Sequence, residues 1–373
     1  MGIERFSTFT RLVVLFLSCI ALIIFALLPA AIAVEPAATE KDNQEKCWEF
    51  DIQCQFDDIF EFYEGLAKVK QKNKWGFIDK TDKIVIPCKF DYAWSFCEGL
   101  AAVKQNGKWG FIDKTGKIVI PCQFDDVLPF SNGLAAVKQN GKYGFIDKTG
   151  KIVVPCKFGD AWSFSEGLAA VKQNGKWGFI DKTGKIVIPC QFDDASEFRE
   201  GLARICRNDK CGFIDKTGKL VISCQFDEAS EFREGLARVK QNGKLGFIDK
   251  TGKLVIPCQF DFSDNHKSFD SFSEGFAYVE QNGKYGFIDK TGKLVIPCQF
   301  DDALPFCEGL ASVEQNGKSG FINKNGNIVI PCQFDWAGSF TEGFALIGQN
   351  GKYGFIDKTG KIVIPCQLDR ACP

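Results

Sequence analysis

From Gly99 to Asp126 the chain reads GLAAVKQNGKWGFIDKTGKIVIPCQFDD, and the punctuation of this stretch decides the fold. GlnAsnGlyLys at Gln105–Lys108 puts Asn and Gly at the two central positions of a two-residue hairpin, where positive φ is needed and these residues supply it cheaply. AspLysThrGlyLys at Asp113–Lys117 fits a three-residue loop with Gly in the left-handed position. Two hairpins in succession predict a three-stranded antiparallel meander, Leu100–Lys104, Lys108–Asp113 and Lys117–Cys122, before Gln123–Gly133 leads to the next copy.

That copy exists. The Gly-Phe pair recurs at Gly76, Gly110, Gly144, Gly178, Gly212, Gly246, Gly286, Gly320 and Gly354, 34 residues apart except for one interval of 40, which holds an insertion at 262–271. Nine units therefore fill residues 47–373, and the fold class is an all-β tandem repeat array. A helical repeat of the same period is excluded, because the apolar segments are five or six residues long, rich in Val, Ile, Phe and Trp, and bounded by Asn-Gly and Thr-Gly turns. Both ends carry the same element, Trp48–Cys54 before GlnPheAsp and Ile362–Cys366 before GlnLeuAsp. Neither end supplies a strand missing from the other, so the expectation is an open, curved, solenoid-like stack. A closed β-propeller-like ring is the alternative, three strands being few for a blade of about 40–45 residues.

Registering the strands from their turns collects Ala101, Val103, Gly110, Ile112, Ile118 and Ile120 on one small apolar core face, with Gly110 leaving a slot for a neighbour's side chain. Trp109, Phe111, Val119 and Pro121 fall on the other. A position varying from Lys68 and Ala102 to Arg204, Arg238, Tyr278 and Leu346 is expected at the surface.

The first residues follow other rules. Arg5 and Arg11 precede an uncharged apolar run, Leu12–Val34, that closes on Ala31, Ile32 and Ala33, a small-x-small cleavage pattern. Residues 1–33 read as a signal peptide or an uncleaved membrane anchor, and 34–46 as a linker. Either way the array is expected outside the cytoplasm, secreted, periplasmic or on the cell surface, touching membrane only through this segment.

Charge narrows the function. With 46 basic and 47 acidic residues interspersed there is no one-signed stripe for phosphates, which argues against nucleic acid. The single histidine, His266, among Asp261, Asp264 and Asp270, is a weak metal candidate and reads more simply as a surface loop residue. Asp113 and its equivalents open tight turns, where a carboxylate accepts local N–H groups, and pairs such as Asp125 with Asp126 sit in solvated loops. No metal, cofactor or catalytic set is expected, and hence no enzyme.

KWGFIDKTGKIVIP followed by FDDAxxFSEGLA resembles the WG, or KWG, repeat family over nearly everything from Cys47 onward. The resemblance implies β-rich repeats, often in exported bacterial proteins, and no general catalytic activity. The Trp position holds Trp75, Trp109, Tyr143, Trp177, Cys211, Leu245, Tyr285, Ser319 and Tyr353. Trp75, Trp109, Tyr143, Trp177, Tyr285 and Tyr353 thus form a candidate ligand-binding row suited to sugar rings, while packing against neighbouring loops is the simpler role. The expected function is an exported scaffold or interaction surface for envelope or extracellular proteins, with a glycan or cell-wall binding module as the alternative.

Ten of the 17 cysteines recur once per unit at the end of the third strand, from Cys54 and Cys88 to Cys366, and read as small, reduced, apolar side chains. Cys206 and Cys211 replace the usual Lys and Trp of one hairpin. The turn sets them opposite each other at a non-hydrogen-bonded pair, within reach of a disulfide in an oxidising compartment.

Overall fold

The computed structural model describes residues 56–261 and 271–369. The apolar run Leu12–Val34, the linker, Trp48–Cys54 and His266 lie outside these residues.

Each unit folds into its own antiparallel sheet, and nine such sheets form the blades of a closed β-propeller. In the second blade the strands are Tyr92–Ala93, Leu100–Gln105, Lys108–Asp113 and Ile118–Phe124, in that order across the sheet. The expected meander is present, and the segment read as a connection adds a fourth, innermost strand. Only the seventh blade, Phe276–Phe300, has three strands among the described residues.

The first hairpin keeps the expected register, with Lys104 opposite Trp109, Val103 opposite Gly110 and Ala102 opposite Phe111. The second does not. Ile112 faces Ile118, but Phe111 faces Ile120 and Trp109 faces Phe124, so the outer strand bulges twice and Ile120 joins the face of Phe111. Both faces are then buried. Ala101, Val103 and Ile112 pack with Ala93 and Phe96 on Trp75, Phe77, Ile86 and Phe90 of the first blade. Trp109, Phe111, Ile120 and Phe124 pack on Val127, Phe130, Val137 and Ile146 of the third. The core thus lies between blades, and the variable position expected at the surface is inside it, with Ala102, Arg238, Tyr278 and Leu346 all buried.

Gly110 also differs in its reason. A Cβ there would stand 2.5 Å from the carbonyl oxygen of Ile120 and 2.7 Å from the nitrogen of Cys122. The missing side chain admits the bulged backbone of its own outer strand, not a neighbour's side chain.

The expected open stack closes into a ring. Phe62 of the first blade packs 4.9 Å from Phe355 of the ninth, ring centre to ring centre. The closing polar contact repeats one found between interior neighbours. Glu64, in the turn after the innermost strand, accepts the backbone N–H of Gly99 in the next blade at 3.0 Å and pairs with Lys114 at 3.2 Å. At the last junction Glu342 accepts from Gly65 at 2.9 Å and pairs with Lys80 at 3.0 Å. Complementary ends are unnecessary because every blade is built from contiguous chain and closure needs only side-chain contacts.

A second belt runs along the opposite rim. Asp91, in the link between blades one and two, accepts the N–H of Asn106 at 2.8 Å and Lys74 of the preceding blade at 2.6 Å. Asp193, Asp227, Asp301 and Asp335 repeat the arrangement. Between blades three and four both belts change: Gly159 stands where the link has Asp, and Asn132, where the clasp has Glu, donates its side-chain amide to the Phe164 carbonyl at 2.9 Å.

Candidate functional site

The six aromatic side chains do not form an open row. Trp75, Trp109, Tyr143, Trp177 and Tyr285 are 3 to 7% exposed, and Tyr353 is partly buried. Trp109 stacks on Trp94 at 6.1 Å and Trp177 on Trp162 at the same distance, while the Tyr143 hydroxyl donates to Asp126. The correction has a steric cause: the strand that carries the row is the third of four, covered on that face by the next blade. Within each unit the space is shared by coordinated residues. Ala102 accompanies Trp94 and Trp109, and Ala170 accompanies Trp162 and Trp177. Where Cys211 replaces Trp, Arg204 occupies the volume, its N–H bonded to Ser196 Oγ at 3.2 Å and its guanidinium 2.9 Å from Asp194.

In the first blade the same position is Lys68, only 4% exposed, with its ammonium 4.1 Å from the ring centre of Phe60 and 4.4 Å from that of Trp75. Burial lowers its pKa to about 8, partly offset by Asp58 and Glu61.

Asp113 accepts the Thr115 hydroxyl at 2.6 Å and the N–H groups of Thr115 and Lys117, and the hydroxyl bond first among these holds its carboxyl below the usual range. Asp125 pairs with Lys108 and Asp126 with Tyr143, so the two carboxylates serve separate contacts. Among the described residues no group of His, Cys, Asp and Glu could hold a metal ion.

Cys206 and Cys211 are opposite each other in the hairpin, Cα atoms 4.1 Å apart, and their sulfurs are joined. The recurring cysteines from Cys122 to Cys366 form no disulfide and are partly buried, with thiols pushed up by burial, as at Cys122 and Cys156.

Two surfaces remain. Among the described residues, the outer strands form the rim and carry every large exposed hydrophobic residue, a pair such as Ile118 and Val119 at 42 and 38% exposure recurring from blade to blade. Both neighbours of such a pair point outward because the bulge breaks the alternation of the strand. Pro121, also exposed, interrupts the open edge of that strand. On the inner strands of blades five and six lies a charged group: Arg199 pairs with Glu231 and lies 3.9 Å from Glu197, which is 2% exposed. Burial first, and Glu231 second, push the Glu197 carboxyl up to about 8.

Sequence reasoning missed the clasp and the inner charges. The recurrence of Glu98-Gly99 with Lys114 in almost every unit was a usable signal for the first, since neither residue is needed by its own hairpin. Nothing local marked Glu197 as buried.

The family model of the WG containing repeat matches residues 52–75, 75–109, 109–143, 143–177, 177–211, 212–244, 246–285, 285–318, 320–353 and 353–371. No curated protein matches the chain. Among solved structures it is similar to one described as a eukaryotic initiation factor, at 12% identity and a TM-score of 0.56, covering 80% of this chain and 95% of that one. It is also similar to BamB from Moraxella catarrhalis, at 12% identity and a TM-score of 0.42, covering 82% and 95% respectively. At such identities the first likeness bears on fold alone.

Proposed function

This chain belongs to the family of WG-containing repeat proteins, and we propose that it is an exported, non-enzymatic scaffold whose outer rim docks partner proteins. The observation that carries this reading is the rim itself, where apolar pairs such as Ile118 with Val119, Ile186 with Val187 and Ile328 with Val329 face solvent. Apolar groups exposed in a repeating series favour protein contact over solvent. Equivalent weak sites held on one rigid ring raise one another's effective concentration, so modest contacts sum to firm binding. Export rests on the N-terminal sequence, and the facing cysteines Cys206 and Cys211 suit an oxidising compartment. The glycan alternative has less support, because the rings it would use are covered by neighbouring blades.

The test is cross-linking of the purified chain to envelope proteins, alongside a variant carrying Ile118→Lys, Ile152→Lys and Ile186→Lys. Capture by the native chain and its loss in the variant are expected. Undiminished capture would move the docking surface elsewhere, and retention on purified cell-wall polysaccharide would favour the glycan reading instead.

A further inference from the structure

The open edge of the outer strands is interrupted at one recurring position. Eight blades hold proline there, from Pro87 and Pro121 to Pro331 and Pro365, and blade five holds Ser223. Proline offers no N–H to a neighbouring strand, and its ring fills the space such a strand would take, so eight edges are closed to pairing. The fifth is open.

The backbone of blade five otherwise follows the rest. Phe213 faces Ile222 and Cys211 faces Phe226, as Phe111 faces Ile120 and Trp109 faces Phe124. A Cβ on Gly212 would stand 2.4 Å from the Ile222 carbonyl oxygen and 2.7 Å from the Cys224 nitrogen, the close approach already seen at Gly110. The other blades accommodate a proline ring in this conformation, so no acceptor within the blade lies where the ring would stand. The Ser223 N–H is therefore directed away from its own sheet. Ser223 is exposed, and so are Leu220 and Val221 beside it, at 47 and 40%.

An edge matches a second copy of itself in its main-chain groups when the two strands run antiparallel about a two-fold axis, because each donor then meets the acceptor of its own counterpart. With the axis on Ser223, Lys219, exposed at the start of the strand, falls opposite Asp227, exposed just past its end. The symmetry places this pairing of opposite charges at both ends of the contact. We propose that blade five is a homodimerisation edge, in which the Ser223 residues of two copies exchange N–H and carbonyl bonds and the two blades join in one sheet. The contact lies on the rim but needs no envelope protein. Ile118→Lys, Ile152→Lys and Ile186→Lys alter blades two to four only, so that variant should dimerise as the native chain does, and either reading can fail without the other.

Sedimentation of the whole chain over a range of concentrations, with free thiols alkylated, tests the edge. The native chain should pass from monomer to dimer as concentration rises. Ser223→Pro removes both central bonds and should weaken the dimer about tenfold or more. It should melt with the native chain, since proline already stands at this position in the other blades. Ser223→Ala keeps the N–H and should dimerise like the native protein. A native chain that stays monomeric, association that survives Ser223→Pro, a Ser223→Ala variant as impaired as Ser223→Pro, or a lower melting temperature for Ser223→Pro would each overturn the proposal.

Discussion

Glu342 accepts a hydrogen bond from the backbone of Gly65, a residue 277 positions earlier in the chain, at 2.9 Å. The contact is the same one that Glu64 makes with Gly99 in the next unit, at 3.0 Å. A local rule, one carboxylate reaching one turn ahead, therefore becomes a global constraint when the ninth copy meets the first. The repeats differ mainly in what fills the space between blades and in whether the rim contacts are complete.

Incomplete contacts should mark the weakest junction. Between blades three and four, Lys182 finds only the Asn132 carbonyl, and the position that would accept Lys142 is Gly159. Gly159 has ordinary φ, and a Cβ there would meet nothing nearer than the Lys172 carbonyl oxygen at 3.5 Å. The double variant Asn132→Glu with Gly159→Asp is expected to raise the denaturation midpoint slightly, because both new pairs are screened by solvent and the Asn132 amide bond to Phe164 is lost. Urea denaturation checks it, and a loss would mean that the seam is fastened in another way.

The glycine of the repeat signature should be less tolerant than the aromatic before it. Gly110→Ala forces a methyl group into the backbone of Ile120–Cys122, which cannot retreat without unmaking the bulge, and a loss of about 3 kcal/mol or more is expected. Trp109→Ser empties a site shared with Trp94 and Ala102 and is expected to cost about 3 kcal/mol, most of which Ala102→Leu should restore by refilling the space. Thermal melting of the three variants distinguishes them, and a Gly110→Ala protein as stable as the native chain would contradict the close approach.

How far the sequence could be read follows from these two residues. The hairpins were legible because Asn106-Gly107 and Thr115-Gly116 determine local geometry, and the opposition of Cys206 and Cys211 follows from the same turn. The outer strand was misregistered because a bulge leaves no signature in a uniform run such as Ile118–Pro121. Ring closure was illegible for a related reason: it depends on the angle between blades, which is a property of packing. Glu342 is identical in sequence to carboxylates that join interior neighbours, so nothing marked it as the closing contact. The aromatic row was visible as a row, but its burial depends on the neighbouring blade.

Lys68 gives the chain a pH dependence of definite sign. Burial lowers its pKa to about 8 in the folded state, below the ordinary lysine value of 10.5. Between these values the unfolded chain binds more protons than the folded one, so stability should rise as pH increases from about 8 to about 10.5. Lys68→Met should be more stable than the native chain at pH 7 and should lack that rise. Parallel melting curves for the two proteins across the range would show that the aromatic faces of Phe60 and Trp75 stabilise the cation fully.

The cysteines sort into two behaviours. Protein recovered without reduction from an oxidising compartment should contain a peptide linking Cys206 to Cys211, while Cys122, Cys156 and Cys190 should be alkylated only after unfolding, their thiols being half-buried and held protonated. Mass spectrometry of alkylated material reads both. Alkylation of Cys206 and Cys211 in the native sample would contradict the bond.

Ring closure is the central claim, and zero-length carbodiimide cross-linking tests it most directly. Lys114 with Glu64 at 3.2 Å and Lys148 with Glu98 at 3.2 Å report interior junctions, and Lys80 with Glu342 at 3.0 Å reports the closing one. The closed ring predicts that peptides joining Lys80 to Glu342 form in monomeric protein as readily as the two interior links. Interior links formed in full, with the Lys80–Glu342 link absent, would mean that the blades stack without closing.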